Sequence, residues 1–340
     1  MNSILLRDQN DLNGLRCVAA FGWLRAPELG RFLWPGNKSS AEAANRVIRS
    51  WAQRDLVILR ELPDRAGKAV VLSAAGARLL NEQGIEAKTG KDLGVFQNGK
   101  WRPSESWRHD LIAAGLLLNL REQGWEVMPE TFLKKHKNHL RKIPDGLLRA
   151  KEEDGGWIWL EVERASKTGT ALQELAQALV KAARGNAEIA GRTCEGAMVA
   201  YCEGITDSRG YKLDHKSRVI NAISKIIVKP VTITFARCSL QGMTVRDVEL
   251  SDEEIFSARA LEILGDLNRN GWIRNEHNDH EAHFRKYRAA YKYFRDRGYV
   301  WKVWYQGEPL DKVRTANSLE EAKRMCAEAI WEHVHETALK

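Results

Sequence analysis

Two short segments decide the fold of the central region: KIPDG at residues 142–146 and WIWLEVE at residues 157–163. Alternate side chains of a β-strand lie on the same face, so the apolar residues of the second segment are expected to face a core. The opposite face then carries the other four side chains, Trp157, Trp159, Glu161 and Glu163. The pattern predicts a strand with one core face and one chemically active face.

Sixteen positions separate Asp145 from Glu161, which is enough for a strand, a turn and a return strand. Asp145 and Glu161 are then expected to face each other across adjacent strands, with Glu163 further along the same face. Three converging carboxylates repel each other unless a cation lies between them, and Mg²⁺ or Mn²⁺ suits such oxygen ligands. An ion of this kind can polarise a phosphodiester and activate water. The alternative is an ordinary solvated sheet edge.

Helices and strands alternate around these segments, which favours an α/β layer domain with a mixed sheet over residues 105–245. An apolar helix at residues 111–120 follows His109 and Asp110, and a long helix is predicted at residues 170–183. A polar connector at residues 84–104 precedes this domain.

The first 83 residues have the pattern of three helices followed by a hairpin. Ser39 and Glu42 form a capping box that opens the third helix, and a Pro- and Gly-containing turn at residues 63–67 joins two β-rich segments. This order predicts a winged helix-turn-helix, which places its third helix in the major groove. The expected DNA contacts are Asn45, Arg46 and Arg49 on that helix and Arg65 and Lys68 on the hairpin. Winged helices also dock proteins, and that alternative stays open.

A basic segment, KKHKNHLRK at residues 134–142, adjoins the acidic motif and contains no acid. Beside a carboxylate cleft such charges would contact phosphates, although basic runs are also common in solvated loops. The predicted contacts are Lys134, Lys135, Lys137, Arg141 and Lys142.

Residues 246–340 are predicted to form a helical and small βα extension. Within it, residues 283–295 combine Lys, Arg and Tyr in a predicted helix that either binds DNA or packs as an amphipathic helix. Three histidines, His277, His280 and His283, lack a cysteine or a close acidic partner, which argues against a zinc site.

Composition narrows the class of partner. Lys and Arg number 53 against 45 Asp and Glu, and the net charge of +8 favours a polyanion, nucleic acid first. No apolar run approaches the roughly 18 residues of a membrane span, and the five cysteines form no CxxC pair. A cytoplasmic protein with reduced thiols and no membrane segment is expected.

The pair Pro144-Asp145, followed by Glu161-Val162-Glu163 on the next strand, resembles the PD-(D/E)XK nuclease motif. A winged helix before such a core is similar to the replication-relaxation family and the related MOBC-type plasmid relaxases. Residues 72–80 resemble that family's wing-to-helix junction, and the resemblance covers roughly residues 11–205. The implied fold class is α/β, α+β overall: a winged helix, a restriction-endonuclease-like mixed sheet with flanking helices, and a small C-terminal extension.

The resemblance implies a metal-dependent endonuclease that nicks double-stranded DNA at a plasmid or mobile-element origin, holds single-stranded DNA at the nick, and works with other conjugation or replication proteins. Asp145 and Glu161 would bind Mg²⁺ or Mn²⁺, and Glu163 stands where the motif usually has Lys. Lys167 would then supply the missing charge, and His109 would orient a ligand or carry a proton. The departure at Glu163 keeps a second hypothesis open: a non-catalytic, sequence-specific DNA-binding accessory protein or regulator on a nuclease-like scaffold. A docking module within a transfer complex is the third.

Overall fold

The computed structural model describes residues 3–89, 94–136, 142–151, 155–164, 167–202, 214–241, 243–277, 279–310 and 314–338. The chain is a mixed α/β protein with a central mixed sheet, so the predicted α+β class is confirmed. It forms two compact units. The first unit comprises residues 1–167, 181–215 and 233–252, and the second comprises residues 168–180, 216–232 and 253–340.

The N-terminal part of the first unit has the predicted order of three helices and a hairpin. Its elements are α1 (Ser3–Phe21), β1 (Trp23–Leu24), α2 (Ala26–Leu33), α3 (Ser40–Gln53), β2 (Val57–Glu61), β3 (Lys68–Leu72) and α4 (Ala74–Glu82). The three strands pair in the order β1-β3-β2, all antiparallel. Ala44, Ile48 and Trp51 recur at helical spacing along α3 and are buried, which fixes the buried face of this helix.

The start of α4 depends on Gly76, which lies against Leu56, the residue directly before the β2–β3 hairpin, or wing. The Ser73 hydroxyl caps α4 by accepting a hydrogen bond from the Gly76 amide at 3.0 Å. A Cβ atom at Gly76 would overlap the carbonyl oxygen of Leu56. Only a residue without a side chain lets α4 approach β2 this closely.

The Gly76→Ala variant is expected to lower the free energy of unfolding by about 1–3 kcal/mol, because the new methyl group overlaps backbone. Gly265→Ala is the matched control, since the nearest atom to its added Cβ is Arg269 Nη1 at 3.6 Å. In that open helical site, alanine should stabilise by up to about 1 kcal/mol. Urea denaturation measures both values, and equal effects would contradict the close contact.

The central sheet follows a small hairpin of β4 (Gly94–Gln97) and β5 (Lys100–Pro103). The next elements are α5 (Trp107–Glu122), β6 (Glu126–Pro129), α6 (Glu130–Lys134), β7 (Gly146–Arg149), β8 (Trp157–Glu163), α7 (Gly169–Ala183), β9 (Ala187–Ile189), β10 (Arg192–Cys202), α8 (His215–Ser224), β11 (Val231–Gln241) and β12 (Thr244–Ile255). The strand order is β12-β11-β10-β8-β7-β6, with β9 paired to β10. Strands β6, β7 and β8 are antiparallel, whereas β8, β10 and β11 are parallel.

Helix α5 belongs to two cores at once. Leu118 packs with the winged helix, while Leu116 and Leu120 pack with the central sheet. A helix that is apolar around its whole circumference must be buried on all sides. The winged helix and the central sheet therefore share α5 and lie together in the first unit.

The C-terminal part of the second unit is an antiparallel sheet with a helix before and after it. Its elements are α9 (Ala258–Asn270), β13 (Ile273–Arg274), β14 (His280–Phe284), β15 (Tyr287–Phe294), β16 (Gly298–Tyr305), β17 (Glu308–Pro309), β18 (Arg314–Ala316) and α10 (Leu319–Ala338). The strand order is β13-β14-β15-β16-β17, and β18 also pairs with β16.

The predicted helix over residues 283–295 is wrong, because these residues form parts of β14 and β15. Tyr287, Ala289 and Tyr291 pack in one core, whereas Arg288 and Lys292 on the other face are half-exposed around a buried Ala290. This period of two is that of a strand, and pairing with β16 along its whole length stabilises it. The extension predicted at residues 246–340 does not begin as a helix, since β12 continues to Ile255 and α9 begins at Ala258.

Candidate functional site

The candidate site lies where β7 begins and β8 ends. Gly146 is paired with Leu160, and the Asp145 amide donates a hydrogen bond to the Leu160 carbonyl at 2.9 Å, which places Asp145 beside Glu161. Asp145, Glu161 and Glu163 are 8%, 0% and 3% exposed. The negative charge of Asp145 raises the pKa of both glutamates, so the three carboxylates are electrostatic neighbours. Carboxylates this deeply buried are rare without partners.

Asp145 is held as a carboxylate by donors around it. Its Oδ2 atom accepts a hydrogen bond from the Val162 amide at 2.7 Å and lies 3.1 Å from Nε2 of His109. Burial would raise the pKa of Asp145, but His109, the Val162 amide and Lys142 together hold this pKa below its usual value. Asp145 is therefore ionised at neutral pH.

His109 bridges two acids at the head of α5. Its Nδ1 atom lies 3.4 Å from Oδ1 of Asp110, and its Nε2 atom contacts Asp145. Burial lowers the pKa of His109, but the hydrogen bonds and charges of Asp110 and Asp145 outweigh it and raise the pKa to about 10. At neutral pH the imidazole is thus a cation with a proton on each ring nitrogen.

Glu161 has one polar contact for each carboxylate oxygen. Oε1 accepts a hydrogen bond from the Trp159 indole at 2.8 Å, and Oε2 forms an ion pair with Lys142 Nζ at 2.6 Å. Burial and the charge of Asp145 raise the pKa of Glu161, Lys142 lowers it, and the result is about 7. Apart from the strand face that Trp159 and Glu161 share, no feature of the sequence predicted this hydrogen bond.

Glu163 forms an ion pair with Lys167, four residues further along the chain. Burial raises the pKa of Glu163 even though Lys167 lowers it. The structure therefore places Lys167, the predicted substitute for the motif lysine, on the carboxylate that occupies the lysine position.

Lys142 interacts with all three carboxylates. Burial lowers the pKa of Lys142, but the charges of Glu161, Asp145 and Glu163 raise it above its usual value. The sequence predicted Lys142 as a phosphate contact, whereas here its ammonium group lies against Glu161. Lys142, Lys167 and His109 thus give each of the three carboxylates a basic partner, and His109 is shared with Asp110.

The buried carboxylate of Glu161 predicts that the stability of the metal-free protein depends on pH. Between pH 4.5 and about 7 the folded state keeps a proton on Glu161 that the unfolded chain has released. The free energy of unfolding should therefore fall as the pH rises through this window, by about 3 kcal/mol. His109 makes the free energy of unfolding fall further between pH 6.5 and about 10, because in this range only the folded state keeps the His109 proton.

Urea denaturation of wild type and Glu161→Gln in EDTA, from pH 4.5 to 10, separates the two contributions. The variant should lose the part of the first decrease that Glu161 contributes and keep the second. Glu328, whose pKa burial also raises to about 7, keeps its own contribution in both proteins. Identical curves below pH 7 would contradict the raised pKa of Glu161.

Metal binding at this site would require Lys142 to move. Among the described residues, no group of three or more His, Cys, Asp or Glu side chains is arranged to hold a metal ion. The chemistry of the donors nevertheless suits a hard cation, and Oε2 of Glu161 is fully buried without a well-aligned hydrogen-bond donor. Since the Lys142 side chain is partly exposed, its ammonium group can leave the carboxylates and make room.

A cavity of about 560 Å³ within the first unit reaches the paired side chains of His109 and Asp145. His109, Asp110 and Asp145 line one wall, and Trp23 and Leu117 supply apolar surface. Glu130 and Lys134 line another wall, where they form an ion pair at 3.0 Å. Of the three carboxylates, Asp145 is the one that lines this cavity.

The predicted DNA-contacting residues of the winged helix are on its surface. Asn45, Arg46 and Arg49 are exposed along α3, where Arg49 Nε donates to the Asn45 carbonyl at 3.2 Å. Arg65 is exposed in the turn of the hairpin, and Lys68 forms an exposed ion pair with Glu61 at 3.1 Å.

The described part of the basic segment is paired with acids. Lys134 contacts Glu130, and Lys135 lies 3.4 Å from Glu86. The predicted contacts Lys137 and Arg141 lie outside the described residues.

Comparisons with protein-family models, curated proteins and solved structures found no match to this chain. The resemblance to relaxases therefore stays an expectation. No helix in the described part of the chain is both long and apolar enough to cross a membrane.

Proposed function

We propose that this protein binds duplex DNA through its winged helix and cleaves one strand at the carboxylate cluster, as a nickase of a plasmid or mobile-element origin. One observation carries the proposal: three buried carboxylates, Asp145, Glu161 and Glu163, act on one ammonium group, that of Lys142, and Asp145 lines a cavity. Burying such groups opposes folding, and clusters with shifted pKa values are concentrated at functional sites.

The supporting evidence for DNA as the substrate is the surface of α3 together with the net charge of +8. Arginine and asparagine side chains can bind guanine and adenine in the major groove, which admits a helix. The winged helix and the carboxylates belong to one compact unit, so the proposal assigns both to the same DNA substrate.

Asp145 and Glu161, with Glu163, would hold Mg²⁺ or Mn²⁺, and the bound ion would polarise the scissile phosphodiester and lower the pKa of the attacking water. His109 and the Val162 amide hold Asp145 ionised and fix its orientation. Trp159 fixes the Glu161 carboxylate in the same way.

The chain also supplies the positive charge that the motif lysine would provide. Lys142 and Lys167 place two ammonium groups against the acids, and either can stabilise negative charge that develops on the phosphate. His109 is a positioning residue here, since its high pKa keeps it from accepting a proton at neutral pH.

A second candidate function is a DNA-binding regulator without catalysis. The observation that favours it is the charge balance, because each carboxylate already has a basic partner in the protein. A nuclease-like scaffold in this state can serve as a framework for binding alone. In both cases the protein would act on DNA in the cytoplasm, alongside other conjugation or replication proteins.

One assay distinguishes the two candidates. Supercoiled DNA carrying the region around the protein's own gene is incubated with Mg²⁺ or Mn²⁺ and either wild type or Glu161→Gln. Metal-dependent conversion to open circles that the variant lacks supports the nickase, whereas tight binding without conversion supports the regulator. A rise of the wild-type Tm with Mn²⁺, absent in the variant, would report binding of the ion independently of cleavage.

A further inference from the structure

The sheet of the second unit has a face that plays no part in the candidate site described above. On one side of β15 and β16, Ala289, Trp301 and Val303 pack with residues of α9 and α10, including Leu267 and Ile330. Side chains alternate along a strand, so the intervening residues lie on the opposite side of the sheet. We call that opposite side of β14, β15 and β16 the open face.

Strand register places three cations together on the open face. Ala290 lies opposite Lys302 on β16, and Arg288 and Lys292 lie two positions before and after it on β15. From β14, Glu281 is paired with Ala290 on its other side. A small alanine is thus surrounded by three basic side chains and Glu281, and Lys292 also forms an ion pair with Asp279 at 3.2 Å.

Arg288 is preorganised by an aromatic ring. It lies opposite Trp304, its guanidinium carbon is 4.0 Å from that ring's centre, and its Nη1 is 3.5 Å from Glu281. Lys302 lies over the same ring at 5.3 Å. A guanidinium stacked on an aromatic ring loses rotamer freedom and keeps its N–H edge available for a phosphate or guanine.

The two turns beside the face extend its positive charge. Arg285 and Lys286 are exposed between β14 and β15. Arg295 and Arg297 are exposed between β15 and β16, where Asp296 is the acid. The excess of cations along the hairpins matches a polyanion.

We propose that the open face binds duplex DNA, with Arg288, Lys292 and Lys302 contacting its phosphates. This inference rests on the proposed function, because it adds a second DNA contact to the one at α3. A duplex fits better than an unpaired strand, since Arg288 already covers the Trp304 ring on which a base would stack.

The test measures binding of the full-length protein to a fluorescein-labelled duplex of roughly 30 base pairs at several salt concentrations. Each phosphate contact contributes a salt slope of about 0.9, so Arg288→Gln with Lys302→Gln should lower the slope by about 1.8. At 0.1 M salt, the loss of these two phosphate contacts should weaken binding by about 10- to 60-fold. The matched control is Arg259→Gln with Arg269→Gln, which removes two exposed arginines of α9, each paired with an acid.

Loss in the open-face variant but not in the α9 control supports the inference, and equal affinities of the two variants would overturn it. A third variant, Arg46→Gln with Arg49→Gln on α3, tests DNA binding by the winged helix, so that failure of the inference and failure of the proposed function can be distinguished. If only the α3 variant loses affinity, the open face is not a DNA site and the winged-helix assignment stands. If only the open-face variant loses affinity, the inference stands and DNA binding by α3 fails. The same variants are also measured with one strand of this duplex as the probe. A loss of binding confined to the single strand would contradict the duplex as the partner.

Discussion

The Glu161→Gln variant is expected to convert supercoiled DNA to open circles about a hundredfold or more slowly than wild type. Substituting residues that merely orient a metal ligand typically reduces metal affinity or activity about 10- to 100-fold, so the loss of a ligand itself should exceed that range. Glutamine keeps the shape of the side chain and its hydrogen bond from Trp159, while it removes the charge. A change in rate therefore reports the carboxylate charge rather than the packing.

Glu188→Gln is the control for this experiment. Glu188 is exposed on β9 of the same sheet, so its substitution removes one negative charge far from any buried partner. The control should cleave at the wild-type rate. Equal rates for Glu161→Gln and wild type would remove Glu161 from the mechanism and leave the nickase without its central residue.

The arrangement of Asp145 and Glu161 shows what a sequence can predict. The alternation of apolar and acidic residues at 157–163 specifies which side chains share a face, and the spacing to Asp145 specifies a neighbouring strand. Both are local properties of the chain. The order of helices and hairpin is predictable for the same reason, because periodicity and turn residues agree there. The capping box predicted from Ser39 and Glu42 does not form, since the Ser39 side chain makes no cap hydrogen bond at the start of α3.

The ion pairs of the site could not be predicted from sequence. Lys142 and Lys135 belong to one basic run, but their acidic partners, Glu161 and Glu86, come from distant positions. A run of basic residues predicts a local positive charge. Which acidic residue each lysine contacts depends on the folded chain. The helix prediction for β15 failed for a related reason. The local sequence of β15 suits a helix as well as a strand, and pairing with β16 decides between the two.

The Arg25→Met variant is expected to lower the free energy of unfolding by about 3–5 kcal/mol, the range for breaking a buried ion pair. Arg25 and Glu28 have side chains only 4% and 3% exposed and form a two-point contact at 2.6 and 2.9 Å. Arg25 also donates to the carbonyls of Ala66 and Met243 at 2.9 and 3.0 Å. One guanidinium thus joins the start of α2, the wing and the turn before β12.

The size of this effect follows from what the substitution leaves behind. Without Arg25, the Glu28 carboxylate is buried with no cation, and two carbonyls lose a donor. Removing both charges with Arg25→Met and Glu28→Leu should therefore recover part of the loss, since the stranded carboxylate disappears. The exposed pair Arg259–Glu262, with side chains 66% and 61% exposed, provides the comparison. Arg259→Met should change the free energy of unfolding by no more than about 1 kcal/mol, and a similar loss for both single variants in urea denaturation would contradict the buried ion pair.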